Sequence, residues 1–205
     1  MRRSTSWLSL CAVGLAVMIG AARAGDPTFR VGAAAPTFTA ESSDGKRVSL
    51  AEFRGKTVVL EWTNPDCPYV AKHYSGGSMQ ALQRDATAKG VVWLTISSSA
   101  PGNVGYLDAL EAAELVETRQ AKPTHMLLDR DGKMLDAYGV SVALTLAVID
   151  PRGVLAYYGA IDDKPTAKPE DVAGARNYVR EALTAIAAGQ PVKPAQTRPY
   201  GCVAR

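Results

Sequence analysis

The sequence predicts an α/β domain, with a mixed central β-sheet flanked by helices, an N-terminal hairpin and a C-terminal tail. Three observations predict it. β-rich runs without breakers recur at residues 57–63, 91–97 and 124–129. Helix-compatible stretches separate them, and a hairpin pattern with a terminal amphipathic stripe follows. Strands alternating with helices before a closing hairpin and helix form one layered α/β unit.

Residues 38–50 alternate weakly around Ser43-Asp44-Gly45, a hairpin turn signal. Residues 57–63 read Thr-Val-Val-Leu-Glu-Trp-Thr, the pattern of a buried central strand. Asn64-Pro65-Asp66 breaks it. A helix is expected to begin at Cys67-Pro68, because proline suits the first helical position. It should falter at Gly76-Gly77 and resume over residues 79–88. Residues 91–97 form the next strand and 107–116 the next helix. Residues 124–129 form a third strand, closed by Arg130-Asp131-Gly132. Residues 145–150 and 154–158 flank Pro151-Arg152-Gly153 as an antiparallel hairpin. Val172, Ala175, Val179, Ala182, Leu183 and Ile186 make one stripe of a final helix. Residues 189–205 are a proline-containing tail.

The chain has 205 residues, 47% apolar and 21% charged, enough for a sizeable core. This composition excludes a collagen, a coiled coil, a disordered polyampholyte and a disulfide-dense mini-protein. The net charge is +3, but three arginines and no acid fall within the first 24 positions, leaving 20 basic residues facing 20 acidic ones. No basic patch points to a nucleic-acid partner.

Arg2 and Arg3 precede an apolar run over residues 7–22, and Ala22-Arg23-Ala24 offers small residues at the two positions that a signal peptidase reads. Residues 1–24 are expected to be a signal peptide and residues 25–205 a single domain in the periplasm or outside the cell. The alternative is an uncleaved anchor. The run spans about 16 residues, against the roughly 20 that a bilayer crossing needs, so no stable membrane insertion is expected after cleavage. Cys11 lies in this run behind the large Leu10, a context unlike a lipoprotein signal. The exported chain retains Cys67 and Cys202, in a compartment where disulfides persist and two cysteines usually pair.

Cys67 falls between the end of a central strand and the start of a helix. Unpaired N–H groups and the helix dipole at such a position favour a thiolate, the nucleophilic form. The competing reading is a buried cysteine acting as a small hydrophobe. Cys202 sits on a tail long enough to reach much of a small domain. It is expected either to resolve an oxidised Cys67 or to serve as a structural clamp. A metal site built from Cys67, Cys202 and one of His73 and His125 lacks a close pair of ligands, so no metal is expected. His73 itself reads as a packed residue, and Tyr157 and Tyr158 as strand packing.

These residues resemble the thioredoxin-like superfamily, and within it the redoxin branch of alkyl hydroperoxide reductase and thiol-specific antioxidant type. The resemblance runs through Val31-Gly32, Asp44-Gly45-Lys46, Asn64-Pro65, Cys67-Pro68, Lys72-His73-Tyr74, Leu128-Asp129, Tyr138-Gly139, Val148-Ile149-Asp150 and residues 158–163. The ending Tyr200-Gly201-Cys202 is similar to that of a bacterial, often exported, subgroup. The resemblance implies a thiol oxidoreductase or peroxidase with Cys67 as the reactive thiol, no cofactor, and an unidentified electron donor. It aligns Glu61 with a buried acid that moves protons for the attacked thiol; the alternatives are a solvent-facing or a purely structural acid. It places Asn64, Pro68, Trp62 and Leu144 around the substrate pocket. The chain departs from the family patterns at three places. Val70 stands where a local second cysteine would be. Asn64 and Leu60 stand where peroxiredoxins carry Thr or Ser and Pro. Leu144 stands where thioredoxins carry a cis-proline, so a trans bond is expected there, since a cis bond without proline costs about 2.5–4 kcal/mol. The rival function is a non-catalytic thioredoxin-fold binding module with a structural disulfide. A copper chaperone would want a further Cys or Met ligand beside Cys67.

Overall fold

The computed structural model describes residues 29–204; the expected signal peptide and the domain start at residue 25 lie outside them. Seven strands form one sheet: β1 (Thr39–Ser42), β2 (Arg47–Ser49), β3 (Val58–Thr63), β4 (Val92–Ser97), β5 (His125–Leu128), β6 (Leu146–Ile149) and β7 (Leu155–Gly159). Their order is β2-β1-β5-β4-β3-β6-β7. The inner pairs β3–β4 and β4–β5 are parallel, and the pairs outside them are antiparallel. Every position of β3 and β4 is buried, which is why both read as unbroken β-rich runs. Their alternation sorts side chains to two faces. Val58, Leu60 and Trp62 enter one apolar layer with Leu94, Ile96 and Tyr138. Val59 enters the other with Trp93, Val148 and Tyr157.

Among the described residues five α-helices cover the sheet: α1 (Pro68–Ser75), α2 (Ser78–Thr87), α3 (Ala109–Thr118), α4 (Lys133–Ala137) and α5 (Tyr178–Ala187). The expected break falls between α1 and α2, where Gly77 takes positive φ. Apolar residues of α1, α2 and α5 bury against the Val59–Trp93 face. α3 starts at a capping box of Asp108 and Glu111.

Two elements differ from the sequence reading. The short α4 carries too little periodicity to be seen. It is capped from upstream by Asp129, whose carboxylate accepts from the Met134 and Leu135 amides. The final helix begins at Tyr178 rather than near Val172. Val172 ends a 3-10 turn over Pro169–Val172, and the Asn177 side chain caps α5 by accepting from the Arg180 amide. Just before α5 the chain pairs with the segment after β7, through Tyr178 N to Ile161 O and Asp163 N to Arg176 O. That pairing keeps the chain extended up to Asn177, the N-cap of α5.

The tail returns across the sheet instead of leaving the domain. Gln196 bridges Tyr158 in β7, and Thr197 packs against Gly159. The Thr197 hydroxyl bonds Tyr157 Oη at 2.7 Å and accepts from the Ala160 amide at 3.0 Å. Farther on, Val203 pairs antiparallel with Val142. Ala143 N donates to Cys202 O at 2.8 Å, and Ala204 N donates to Ser141 O at 3.1 Å. Gly201 makes this approach feasible. It has φ +150, and a Cβ there would lie 1.8 Å from Ala143 O.

Candidate functional site

β3 ends at Thr63, and the Asn64-Pro65-Asp66 turn delivers Cys67 to the N-cap of α1. The turn is held from three sides. Asn64 Oδ1 accepts from the Asp66 amide at 2.9 Å, and Asn64 O accepts from the Cys67 amide at 3.2 Å. Arg119 donates to Pro65 O at 3.1 Å while its guanidinium lies over the Tyr74 ring. Pro68 supplies the first helical residue, where its missing N–H costs nothing. Cys67 O accepts from the Val70 and Ala71 amides, closing the first turn.

Cys67 is bonded to Cys202, with 5.7 Å between the two Cα atoms and a sequence separation of 135. Closing so long a loop constrains the unfolded chain by about 5 kcal/mol on the chain-entropy account. Cys67 is only 1% exposed, while Cys202 is half-buried. The Cys202 amide points at Cys67 Sγ at 3.2 Å. The pair opens on a surface depression of about 460 Å³ lined by Asn64, Asp66, Asn103, Val104 and Val203. Val104 and Val203 are 77% and 72% exposed, two of the three large apolar side chains so exposed among the described residues.

Of the pocket residues expected from sequence, Asn64 lines this depression. Pro68 is exposed at the start of α1. Leu144 is buried beneath the tail: its amide donates to Trp62 O at 2.7 Å, and it takes positive φ, +69. The Ala143–Leu144 bond is trans. Trp62 lies apart from the others, with its ring in the opposite layer 5.3 Å from Tyr138. Residues 102–104 and Val203 were missed. Pro101-Gly102-Asn103 is a turn signal, but nothing in the sequence directs that turn toward Cys67.

Glu61 is wholly buried on the same sheet face as Cys67, which overturns the solvent-facing alternative. Its Oε1 accepts from Tyr74 Oη at 2.7 Å. Its Oε2 accepts from Trp93 Nε1 at 2.7 Å, Thr95 Oγ1 at 3.1 Å and Gln83 Nε2 at 3.1 Å. The carboxylate thus ties β3 to β4, α1 and α2. Burial, with Glu61 beside it, pushes the Tyr74 hydroxyl well above the ordinary tyrosine range.

A second buried polar cluster joins α1 to the tail. Tyr200 Oη donates to Asp162 Oδ1 at 2.5 Å and lies 3.3 Å from His73 Nε2. Because the tyrosine proton goes to Asp162, His73 Nε2–H is the donor toward Tyr200, and Nδ1 faces the Ser78 hydroxyl at 3.4 Å. Lys72 Nζ donates to Lys164 O at 2.6 Å and sits 5.1 Å from the Tyr200 ring centre. Burial lowers the His73 pKa to about 4; Asp162 opposes the shift and Lys72 adds to it.

The comparisons with known proteins agree with this geometry. The Redoxin family profile matches residues 30–178. The chain belongs to the Redoxin family. It is 29% identical over 151 residues to thiol-disulfide oxidoreductase ResA of Bacillus subtilis, covering 70% of this chain and 74% of that one. It is 28% identical over 116 residues to a putative peroxiredoxin, bcp, of Coxiella burnetii, covering 56% of this chain and 70% of that one. An uncharacterised conserved protein of Geobacillus kaustophilus superposes with a TM-score of 0.72 at 24% identity, over 86% of this chain and 92% of that one. The fold of this redoxin is thioredoxin-like. No helix among its described residues is long and apolar enough to cross a membrane.

Two predictions follow from the redoxin's site. Gly201→Ala drives a methyl into Ala143 O and unseats the tail, so the air-oxidised variant keeps two more titratable thiols than the parent; full disulfide formation in the variant contradicts this. His73 is held neutral in the folded protein, whereas the unfolded chain takes up a proton below about pH 6.5. Its contribution is therefore present above that pH and is lost as the pH falls toward 4, a loss on the order of 2–3 kcal/mol. In denaturant titrations at pH 7 and pH 4.5, His73→Gln should lose less stability on acidification than the parent does.

Proposed function

We propose that this redoxin is an exported thiol–disulfide oxidoreductase in which Cys67 attacks and Cys202 resolves. The observation that carries the reading is the bond between Cys67, at the α1 N-terminus, and a cysteine on the docked tail, at the rim of a surface depression. In the reduced protein the Cys67 thiolate attacks one sulfur of a substrate disulfide and expels the other as a thiolate. The Cys202 thiolate then attacks Cys67 Sγ in the mixed disulfide and releases the second substrate thiolate. The substrate disulfide is reduced to two thiols, and the protein dithiol is oxidised to the bond between Cys67 and Cys202. A thiol-class electron donor must return two electrons for the next cycle.

The N-terminal dipole of α1 and the Cys202 amide would both stabilise the thiolate at Cys67. Val70 leaves resolution to the tail. Glu61 Oε2 takes three donors and Oε1 only one, so Oε1 retains acceptor capacity for the proton of the resolving thiol. The similarity to ResA supports the disulfide substrate. Peroxide is the second reading, favoured by the similarity to bcp. It would convert Cys67 to a sulfenic acid, and attack by Cys202 would release water. Asn64, at the position where peroxiredoxins carry Thr or Ser, favours the disulfide. The arginine-led apolar run and small-residue site of residues 1–24 support export.

The test uses reduced protein. Alkylation of Cys67 should show a midpoint below the free-thiol value of about 8.5. A midpoint at or above it removes catalysis and leaves a binding module with a structural disulfide. An equimolar protein disulfide should oxidise the chain faster than hydrogen peroxide does; the reverse order assigns the peroxidase. Glu61→Gln should slow the resolving step and shift its pH dependence while sparing the first attack. Unchanged rates and pH profiles for both steps would make Glu61 purely structural.

A further inference from the structure

We propose that Tyr200 is a positioning residue that keeps Cys202 seated against Cys67 after the disulfide is reduced, so that the tail acts as a standing resolving arm. The inference rests on the redox cycle above and concerns how Cys202 is delivered.

The tail is anchored on both sides of Cys202 by contacts that do not involve sulfur. On the C-terminal side are the backbone bonds to residues 141 and 143. On the N-terminal side, two residues before the cysteine, Tyr200 reaches into the buried cluster of Asp162, His73 and Lys72. Its hydroxyl donates to Asp162 and accepts from His73, and its ring stacks edge-on against Tyr69 with 5.8 Å between centres. Asp162 Oδ1 is otherwise bonded only by the Lys164 amide, and Oδ2, the other oxygen, has no hydrogen-bond partner among the described residues. Withdrawing the Tyr200 hydroxyl would leave a buried carboxylate short of a donor, which is costly. His73 and Lys72 sit on α1, the helix that Cys67 caps, so the clamp fixes the tail to the element that carries the attacking sulfur.

None of these contacts is cut when the bond between Cys67 and Cys202 opens. A free tail of this length would offer its thiol at the millimolar local concentration of a flexible linker, whereas a docked one approaches a preorganised pair. The clamp therefore enters the redox equilibrium. In the oxidised chain the disulfide holds the tail on its surface whether or not the clamp is intact. In the reduced chain a weakened clamp lets the tail leave and so escape the lost contact. Cutting the clamp thus disfavours the oxidised form relative to the reduced one. A residue that merely stabilised the fold would lower both forms equally and leave the potential unmoved.

The experiment equilibrates the full-length exported chain with glutathione buffers: the two thiols of Cys67 and Cys202 plus oxidised glutathione yield the internal disulfide and two reduced glutathiones. Tyr200→Phe, which keeps the ring, should lower the equilibrium constant by about tenfold, a potential less negative by about 30 mV. Thr197→Val cuts an independent anchor of the same tail and should shift the potential in the same direction. It stands in if Tyr200→Phe does not fold. A constant equal to that of the parent in the folded variants, even with lowered melting temperatures, overturns the inference and leaves the redox cycle intact. A parent chain that never equilibrates with glutathione overturns the redox cycle itself.

Discussion

The antiparallel pairing of residues 202–204 with residues 141–143 is the contact on which the rest of the site depends. Without it Cys202 would be held from its N-terminal side alone, by the anchors at Thr197 and Tyr200. The pairing requires that one side of residues 141–143 be free of the sheet. Leu144 provides this through its positive φ: its amide turns inward to Trp62 while the amide of Ala143 turns outward to Cys202. It also requires a residue without a side chain where the tail crosses Ala143, which is Gly201. A left-handed leucine and a glycine pressed on a carbonyl are local conformations that would be unfavourable in isolation, and the fold maintains them at the point where the two sulfurs meet.

Two buried polar networks frame that point, and they differ in kind. Glu61 gathers four donors from three elements, α1, α2 and β4, so its carboxylate serves as a tie between sheet and helices as well as a candidate proton acceptor. The Asp162–Tyr200–His73 cluster is less complete. One carboxylate oxygen lacks a hydrogen-bond partner among the described residues, and His73 is held neutral by burial. A buried carboxylate already short of partners loses heavily if a further donor is withdrawn, and this cluster grips the segment whose release or retention distinguishes a resolving arm from a permanent clamp.

Most of the sheet was legible because β3, β4 and β5 are inner strands, and burial on both faces leaves continuous β-rich runs. Cys67 was legible for a related reason: a strand, a proline-bearing turn and a helix start are local signals that fix its place at a helix terminus. Tail docking was readable only in part. Pairing of Cys67 with Cys202 followed from the expectation that an exported chain would retain these two cysteines, but the route by which residue 202 arrives depends on contacts distant in sequence, such as Thr197 with Tyr157 and Tyr200 with Asp162. Trp62 illustrates the limit of neighbourhood in sequence. It lies five positions before Cys67, yet the alternation of β3 sends it to the opposite layer. The short α4 escaped because its cap, Asp129, acts from before the turn.

Amide hydrogen exchange on the reduced protein tests the central claim, that the tail and not the sulfur–sulfur bond alone holds Cys202 at Cys67. The account predicts that the amides of Ala143 and Ala204, which bond across the pairing, remain protected after both cysteines are reduced. Exchange of these two amides at unstructured rates, in a reduced chain whose β3 and β4 amides stay protected, would contradict it.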